Sequence, residues 1–112
     1  MNTYKFKSRY GTEYEIRFIK ARYMYGGSLA IKVEDFEPDG EWWEPYATLT
    51  VNIDDFPYKR CAYLDSNNVP DLCEFVLEKG WAKEVGCGRS GYCTYPMVAF
   101  TDEFLNDVCE EE

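Results

Sequence analysis

Apolar and polar positions alternate along the first half of the chain. Tyr4 and Phe6 are interleaved with Thr3, Lys5, Lys7 and Arg9, and Tyr14, Ile16 and Phe18 with Glu13, Glu15 and Arg17. A period of two marks a strand with one buried face. The turn Tyr10-Gly11-Thr12 has an odd length, which keeps both apolar sets on one face of a hairpin. It also sets lysines opposite glutamates on the wet face, a modestly favourable pairing. Tyr25-Gly26-Gly27 punctuates the chain next. Leu29, Ile31 and Val33 then alternate with Ala30, Lys32 and Glu34, and Pro38-Asp39-Gly40 makes another turn. Ala47, Leu49, Val51 and Ile53 alternate with Thr48, Thr50 and Asn52. The pattern predicts a four-strand meander, with a fifth short strand from Cys61 to Leu64.

The period then changes. Leu72, Cys73, Val76 and Leu77 recur at helical spacing, with Asn68 as N-cap, Pro70 in the first turn, Asp71 at the positive end of the helix dipole and Gly80 as the stop. Trp81 to Val85 reads as another strand, Gly86 to Gly91 as a glycine loop, and Pro96 to Phe100 as extended chain. Asp54-Asp55-Phe56-Pro57 reads as a strand end and a turn. A last helix is predicted from Thr101, with Phe100 and Leu105 as a hydrophobic staple, and Glu110-Glu111-Glu112 as a frayed acidic end. No internal repeat or linker interrupts the pattern. The expected fold is α+β, one domain over residues 1–112. It is an antiparallel meander sheet of about five to six strands with one or two helices packed on one face.

Composition agrees with one folded domain, since hydrophobic residues make up 46% of the 112 positions. Charges are interleaved from Lys5 onward, and no apolar run reaches the length of a signal peptide core or a membrane helix, so a cytoplasmic location is expected. The cysteines are Cys61, Cys73, Cys87, Cys93 and Cys109, an odd number without a C-x-x-C pair, and there is no histidine. Free thiols are expected rather than a disulfide framework or a zinc site. The exception left open is a Cys87–Cys93 pair formed under oxidation.

Charge narrows the partners. Residues 1–33 carry seven basic and two acidic side chains, whereas residues 34–112 carry five basic and nineteen acidic ones, for a chain total of −9. Such a surface repels nucleic acid and membranes and attracts basic proteins.

Candidate chemistry is sparse. Gly86-Cys87-Gly88-Arg89-Ser90-Gly91 matches G-x-G-x-x-G, but Tyr92-Cys93-Thr94-Tyr95-Pro96 follows where a dinucleotide site needs a helix. A rigid loop presenting Arg89, Ser90 and Tyr92 to a partner is the better reading. Without histidine, neither a Ser–His nor a Cys–His pair can form. The acidic stretch Asp35 to Glu41 lacks the EF-hand pattern. No cofactor or metal is expected.

Aromatics are the stronger signal. There are 10 Tyr, 7 Phe and 3 Trp, more than a small domain can bury. Tyr23-Met24-Tyr25, Trp42-Trp43 and Tyr92 to Tyr95 all flank turns. Each alone suits edge packing; together, beside acids, they suit a protein-binding surface. The densest acidic cluster runs from Glu34 to Glu44. It reads either as a solvated hairpin tip or as an anionic patch that docks on a basic groove. The candidate partner-binding residues are Glu34, Asp35, Glu37, Asp39, Glu41, Trp42, Trp43, Glu44, Arg89 and Tyr92. The basic strand Lys5-Lys7-Arg9 can be neutralised by Glu13 and Glu15.

Ala47-Thr48-Leu49-Thr50-Val51-Asn52, Asp65-Ser66-Asn67-Asn68-Val69-Pro70 and Gly88-Arg89-Ser90-Gly91-Tyr92-Cys93-Thr94-Tyr95-Pro96 resemble domain-of-unknown-function family forty-three thirteen. The last stretch is the most specific. The resemblance implies a small bacterial protein of conjugative elements and phages, and it carries no catalytic residue across. The expected function is a non-enzymatic acidic inhibitor of anti-CRISPR or anti-restriction type. It would occlude a nucleic-acid-binding groove of a host defence nuclease. The alternatives are an accessory protein binding transfer or replication proteins of a conjugative element, and a thiol-dependent enzyme using Cys87 or Cys93.

Overall fold

A computed structural model describes residues 2–53, 57 and 60–112. Among the described residues, two β-sheets and one α-helix enclose a shared core, so the α+β class and the antiparallel meander hold. The first sheet has the order β1 (Tyr4–Lys7), β2 (Glu13–Arg22), β3 (Leu29–Glu37), β4 (Trp42–Thr48). The second has the order β5 (Thr50–Val51), β6 (Cys61–Leu64), β8 (Cys93–Phe100), β7 (Ala82–Ser90). The described residues thus form more strands than the alternation predicts, and they divide between two sheets.

The first hairpin has the expected register. Tyr4 faces Ile16 and Phe6 faces Tyr14, while Lys5 faces Glu15 and Lys7 faces Glu13. Gly11 turns the chain with φ 88°, a conformation glycine adopts without a Cβ clash. The predicted strand over 47–53 is two strands. Leu49 breaks it, donating its N–H to Ile31 while its carbonyl accepts from Asp65, and Thr50–Val51 joins the second sheet. The stretch Asp54-Asp55-Phe56 lies outside the described residues.

The helix α1 spans Pro70–Glu78 and buries Leu72, Cys73 and Val76. Its N-cap is Val69, not Asn68. The amide and side chain of Asn68 both bond to the Asp65 carboxylate, so Asp65 closes the preceding turn and Asn68 is occupied there. Thr101 starts the last helical segment as expected: its Oγ1 accepts the Phe104 N–H at 3.1 Å. That segment becomes π-helical over Phe104–Val108, and the ring stacked on Phe100 belongs to Phe104, 4.8 Å away.

Two further expectations are corrected. Gly86 to Gly91 is not a loop: β7 runs straight through it to Ser90, paired with β8, and only Gly91 and Tyr92 form the turn. The acidic end is not frayed either. Cys109–Glu111 forms β9, which pairs in parallel with Phe18–Lys20 of β2, just past the stretch that β1 covers. Lys20 and Lys32 hold Glu111 and Glu112, which neutralises the charge that disguises this strand.

The core draws on both sheets and both helical segments. Phe18, Ile16, Ile31, Val33, Leu64 and Val98 are all but fully buried with Leu72, Val76 and Phe104. Trp81 is the aromatic hub, its ring 4.9 Å from Tyr4, 5.8 Å from Phe18, 5.6 Å from Phe104 and 6.0 Å from Phe75. Aromatic pairs of this kind, edge-to-face for Tyr4, Phe18 and Phe75 and tilted for Phe104, add about 0.5–1.5 kcal/mol each beyond simple burial. A smaller cluster of Ile53, Cys61, Tyr63 and Met97 covers the other face of the second sheet. No helix of the described residues is long and apolar enough to cross a membrane.

Candidate functional site

The acidic stretch folds as the β3–β4 hairpin. Glu37 faces Trp42, Phe36 faces Trp43, Asp35 faces Glu44 and Glu34 faces Pro45. Directly opposite residues share a sheet face and neighbours alternate. The cluster therefore splits. One face carries Asp35, Glu37, Trp42 and Glu44; the other carries Glu34, Phe36, Trp43 and Pro45.

The second face satisfies itself. Arg17 of β2 reaches Glu34 at 2.6 Å and lies over the Trp43 ring, 4.4 Å from its centre. The Phe36 ring packs against Trp43 at 5.3 Å. A guanidinium that stacks on an indole and bonds to a carboxylate uses both of its recognition modes. Glu34 and Trp43 are thus half-buried and already engaged.

The first face is different. Among the described residues, no ion pair involves Asp35, Glu37 or Glu44. Partial burial raises the pKa of Asp35 above its ordinary value; its own backbone opposes this, and the charges of Glu44 and Glu37 add to the rise. The three carboxylates therefore lie close enough to repel. Trp42 stands among them with half its surface exposed, its indole N–H donating to Glu44 at 2.8 Å.

The hairpin tip fixes that indole. Glu41 takes φ 58°, in the left-handed region, and its N–H donates to the Glu37 carbonyl at 2.8 Å. Asp39 and Glu41 are exposed there. The Trp42 ring folds back over Gly40 so closely that a Cβ on Gly40 would lie 1.6 Å from it.

Between the first sheet and the start of α1 lies a cleft of about 340 Å³, bounded by Arg9, Tyr14, Tyr46, Asn68 and Asp71. A register shift in the β3–β4 pairing puts an extra residue, Tyr46, into β4. Its ring packs against Tyr14 at 4.7 Å and Phe6 at 6.3 Å. Burial raises the pKa of Tyr46, and Tyr14, Asp71 and Asp35 raise it further. Tyr46 and Asp71 were not among the expected site residues, because the bulge that turns Tyr46 inward leaves no mark in the alternation.

Arg89 and Tyr92 sit elsewhere, at the tip of the β7–β8 hairpin in the second sheet, with Tyr92 fully exposed beside Gly91 at φ 61°. They share no sheet with the acidic hairpin. The same pairing settles the cysteines. Cys87 faces Pro96 whereas Cys93 faces Ser90, so the two thiols lie on opposite faces and three residues apart along β8. That is too far for the Cα separation of about 4.4–6.8 Å that a disulfide requires. All five cysteines are free thiols. Burial pushes Cys73 and Cys109 up to about 12, which keeps both protonated at neutral pH.

A family model described as a domain of unknown function, DUF4313, matches residues 19–112, from the middle of β2 to the final residue. No curated protein and no solved structure matches the chain.

Proposed function

The chain belongs to this domain-of-unknown-function family, and we propose that it is a non-enzymatic inhibitor carried by a phage or another mobile element. It docks its acidic hairpin into the nucleic-acid-binding groove of a host defence nuclease. One observation carries the reading. Trp42 is held exposed among Asp35, Glu37 and Glu44, three carboxylates with no ion pair among the described residues, while the opposite face of the same hairpin is filled by the protein's own Arg17.

The physics of the docking is direct. A groove that binds phosphates is lined with lysine and arginine, and a rigid acidic hairpin competes for the same cations. Opposite charge speeds the encounter and makes it sensitive to salt. An exposed indole supplies the desolvated anchor that charge alone does not. A net charge of −9 discourages the protein from binding nucleic acid itself.

The test is a binding panel of purified bacterial restriction and guide-RNA-loaded nucleases against the full chain, with and without target DNA. The expected result is a nuclease complex that excludes DNA and weakens with salt. A complex that accepts DNA at the same time, or no complex with any nuclease, contradicts the reading. Capture of purified transfer or replication proteins instead moves the partner to a conjugation machine.

A further inference from the structure

The cleft between Tyr14, Tyr46 and Asp71 has an internal counterpart that tells what it takes. On the outer face of the first sheet, Arg17 stacks on Trp43 and bonds to Glu34. On the inner face the same ingredients recur. The Tyr14 and Tyr46 rings are tilted at 54° to one another, and Asp71 lies in the wall. The inner niche differs in one respect: none of the ion pairs among the described residues reaches Asp71. Arg9 is the basic side chain in the wall, and its guanidinium rests over the Tyr10 ring, 5.2 Å from its centre, at the rim.

We propose that this cleft of about 340 Å³ between Tyr14, Tyr46 and Asp71 is a receptor for one guanidinium group, an arginine side chain of the protein partner. The proposal rests on the docking reading for the partner's identity, but not for the site's chemistry. A planar guanidinium can stack on a tyrosine face while directing its N–H fork at a carboxylate. An ammonium is a more strongly hydrated point charge and cannot make the flat contact. Asp71 is positioned for this by two backbone donors, the N–H of Arg9 at 3.2 Å and that of Leu72 at 3.0 Å, which fix the carboxylate and keep it at the cleft. Asn68 sits beside it, adding a polar wall.

The probe is N-acetyl-arginine amide, titrated into the full chain with the tyrosine and tryptophan ring signals followed by NMR. Saturable shifts are expected at Tyr14 and Tyr46, with the Trp43 signals unmoved. N-acetyl-citrulline amide, of the same shape without the charge, should give none. Asp71→Asn should weaken arginine binding by about tenfold, as expected for losing a charge-assisted bond, and Arg9→Gln should strengthen it by about threefold by removing a like charge. Equal shifts with citrulline amide or lysine amide would overturn the guanidinium assignment, as would saturation at Trp43 alone. The two proposals fail separately. Arginine-amide binding without any nuclease partner leaves the cleft standing and removes the docking reading. A nuclease complex formed by a protein that ignores arginine amide does the reverse.

Discussion

The indole of Trp42 lies directly over Gly40, in space that a single Cβ would occupy. Gly40 does not adopt a left-handed conformation, so its substitution tests the ring and not the backbone. Gly40→Ala should push the indole off the hairpin tip and break its 2.8 Å bond to Glu44. The indole N–H signal should shift, while unfolding free energy should change by no more than about 0.5 kcal/mol, as for a surface site. An unmoved indole signal would show that the ring does not rest there.

Glu41 holds φ 58° without being glycine. A left-handed residue with a Cβ costs about 1–2 kcal/mol, partly returned by the greater freedom glycine has when unfolded. Glu41→Gly should therefore stabilise the protein by about 0.5–1 kcal/mol in urea unfolding. A destabilised variant would mean that the Glu41 side chain makes a contact worth more than the strain.

Asp35 gives the hairpin a pH signature. Burial, reinforced by Glu44 and Glu37, raises its folded pKa above the unfolded value. The folded state then holds the proton more tightly, so Asp35 favours folding most below the ordinary carboxylate range. That advantage is lost as pH rises through the raised value. Asp35→Asn should raise the melting temperature at neutral pH, and the gain should shrink as pH falls through the titration. A gain that is constant with pH would point to packing instead of charge.

The alternation of the first hairpin was legible because Lys5–Glu15 and Lys7–Glu13 pairs face water while Tyr4 and Phe6 face the core. The second sheet hid itself for a physical reason. A Cβ on Gly88 would meet the Tyr63 ring at 2.4 Å, so the strand needs glycine where the ring crosses it, and glycines spaced this way read as a loop. In β4 the extra residue at Tyr46 resets the alternation, and Pro45 sits on an edge strand that tolerates it. The acidic cluster was visible as composition, but its division into a face filled by Arg17 and an open face needed the register.

Arg17 should hold the filled face. Arg17→Met keeps the length of the stem but removes the stack on Trp43 and the bond to Glu34. A loss of about 1–2 kcal/mol is expected for a partly buried guanidinium with both contacts, and Arg17→Lys should recover less than half. Urea unfolding with a Trp43 double-mutant cycle checks it; an additive cycle would deny the stack.

The thiols should divide by exposure. Iodoacetamide should label Cys87, and more slowly Cys93, in the native protein, while Cys61, Cys73 and Cys109 react only after unfolding. Mild oxidation should produce no Cys87–Cys93 disulfide, because β7 and β8 place the two on opposite faces. Mass spectrometry of peptides after labelling reads both outcomes.

In the proposed function, the open acidic face steers the protein onto a basic nucleic-acid groove. The most direct test is the association rate of a variant carrying Glu37→Gln, Asp39→Asn, Glu41→Gln and Glu44→Gln with a nuclease from the binding panel, measured across ionic strength. At low salt the variant should associate about 10–100-fold more slowly than the wild type, and the two rates should converge as salt screens the field. Equal rates at low salt, with the same salt dependence, would show that this face does not steer the encounter.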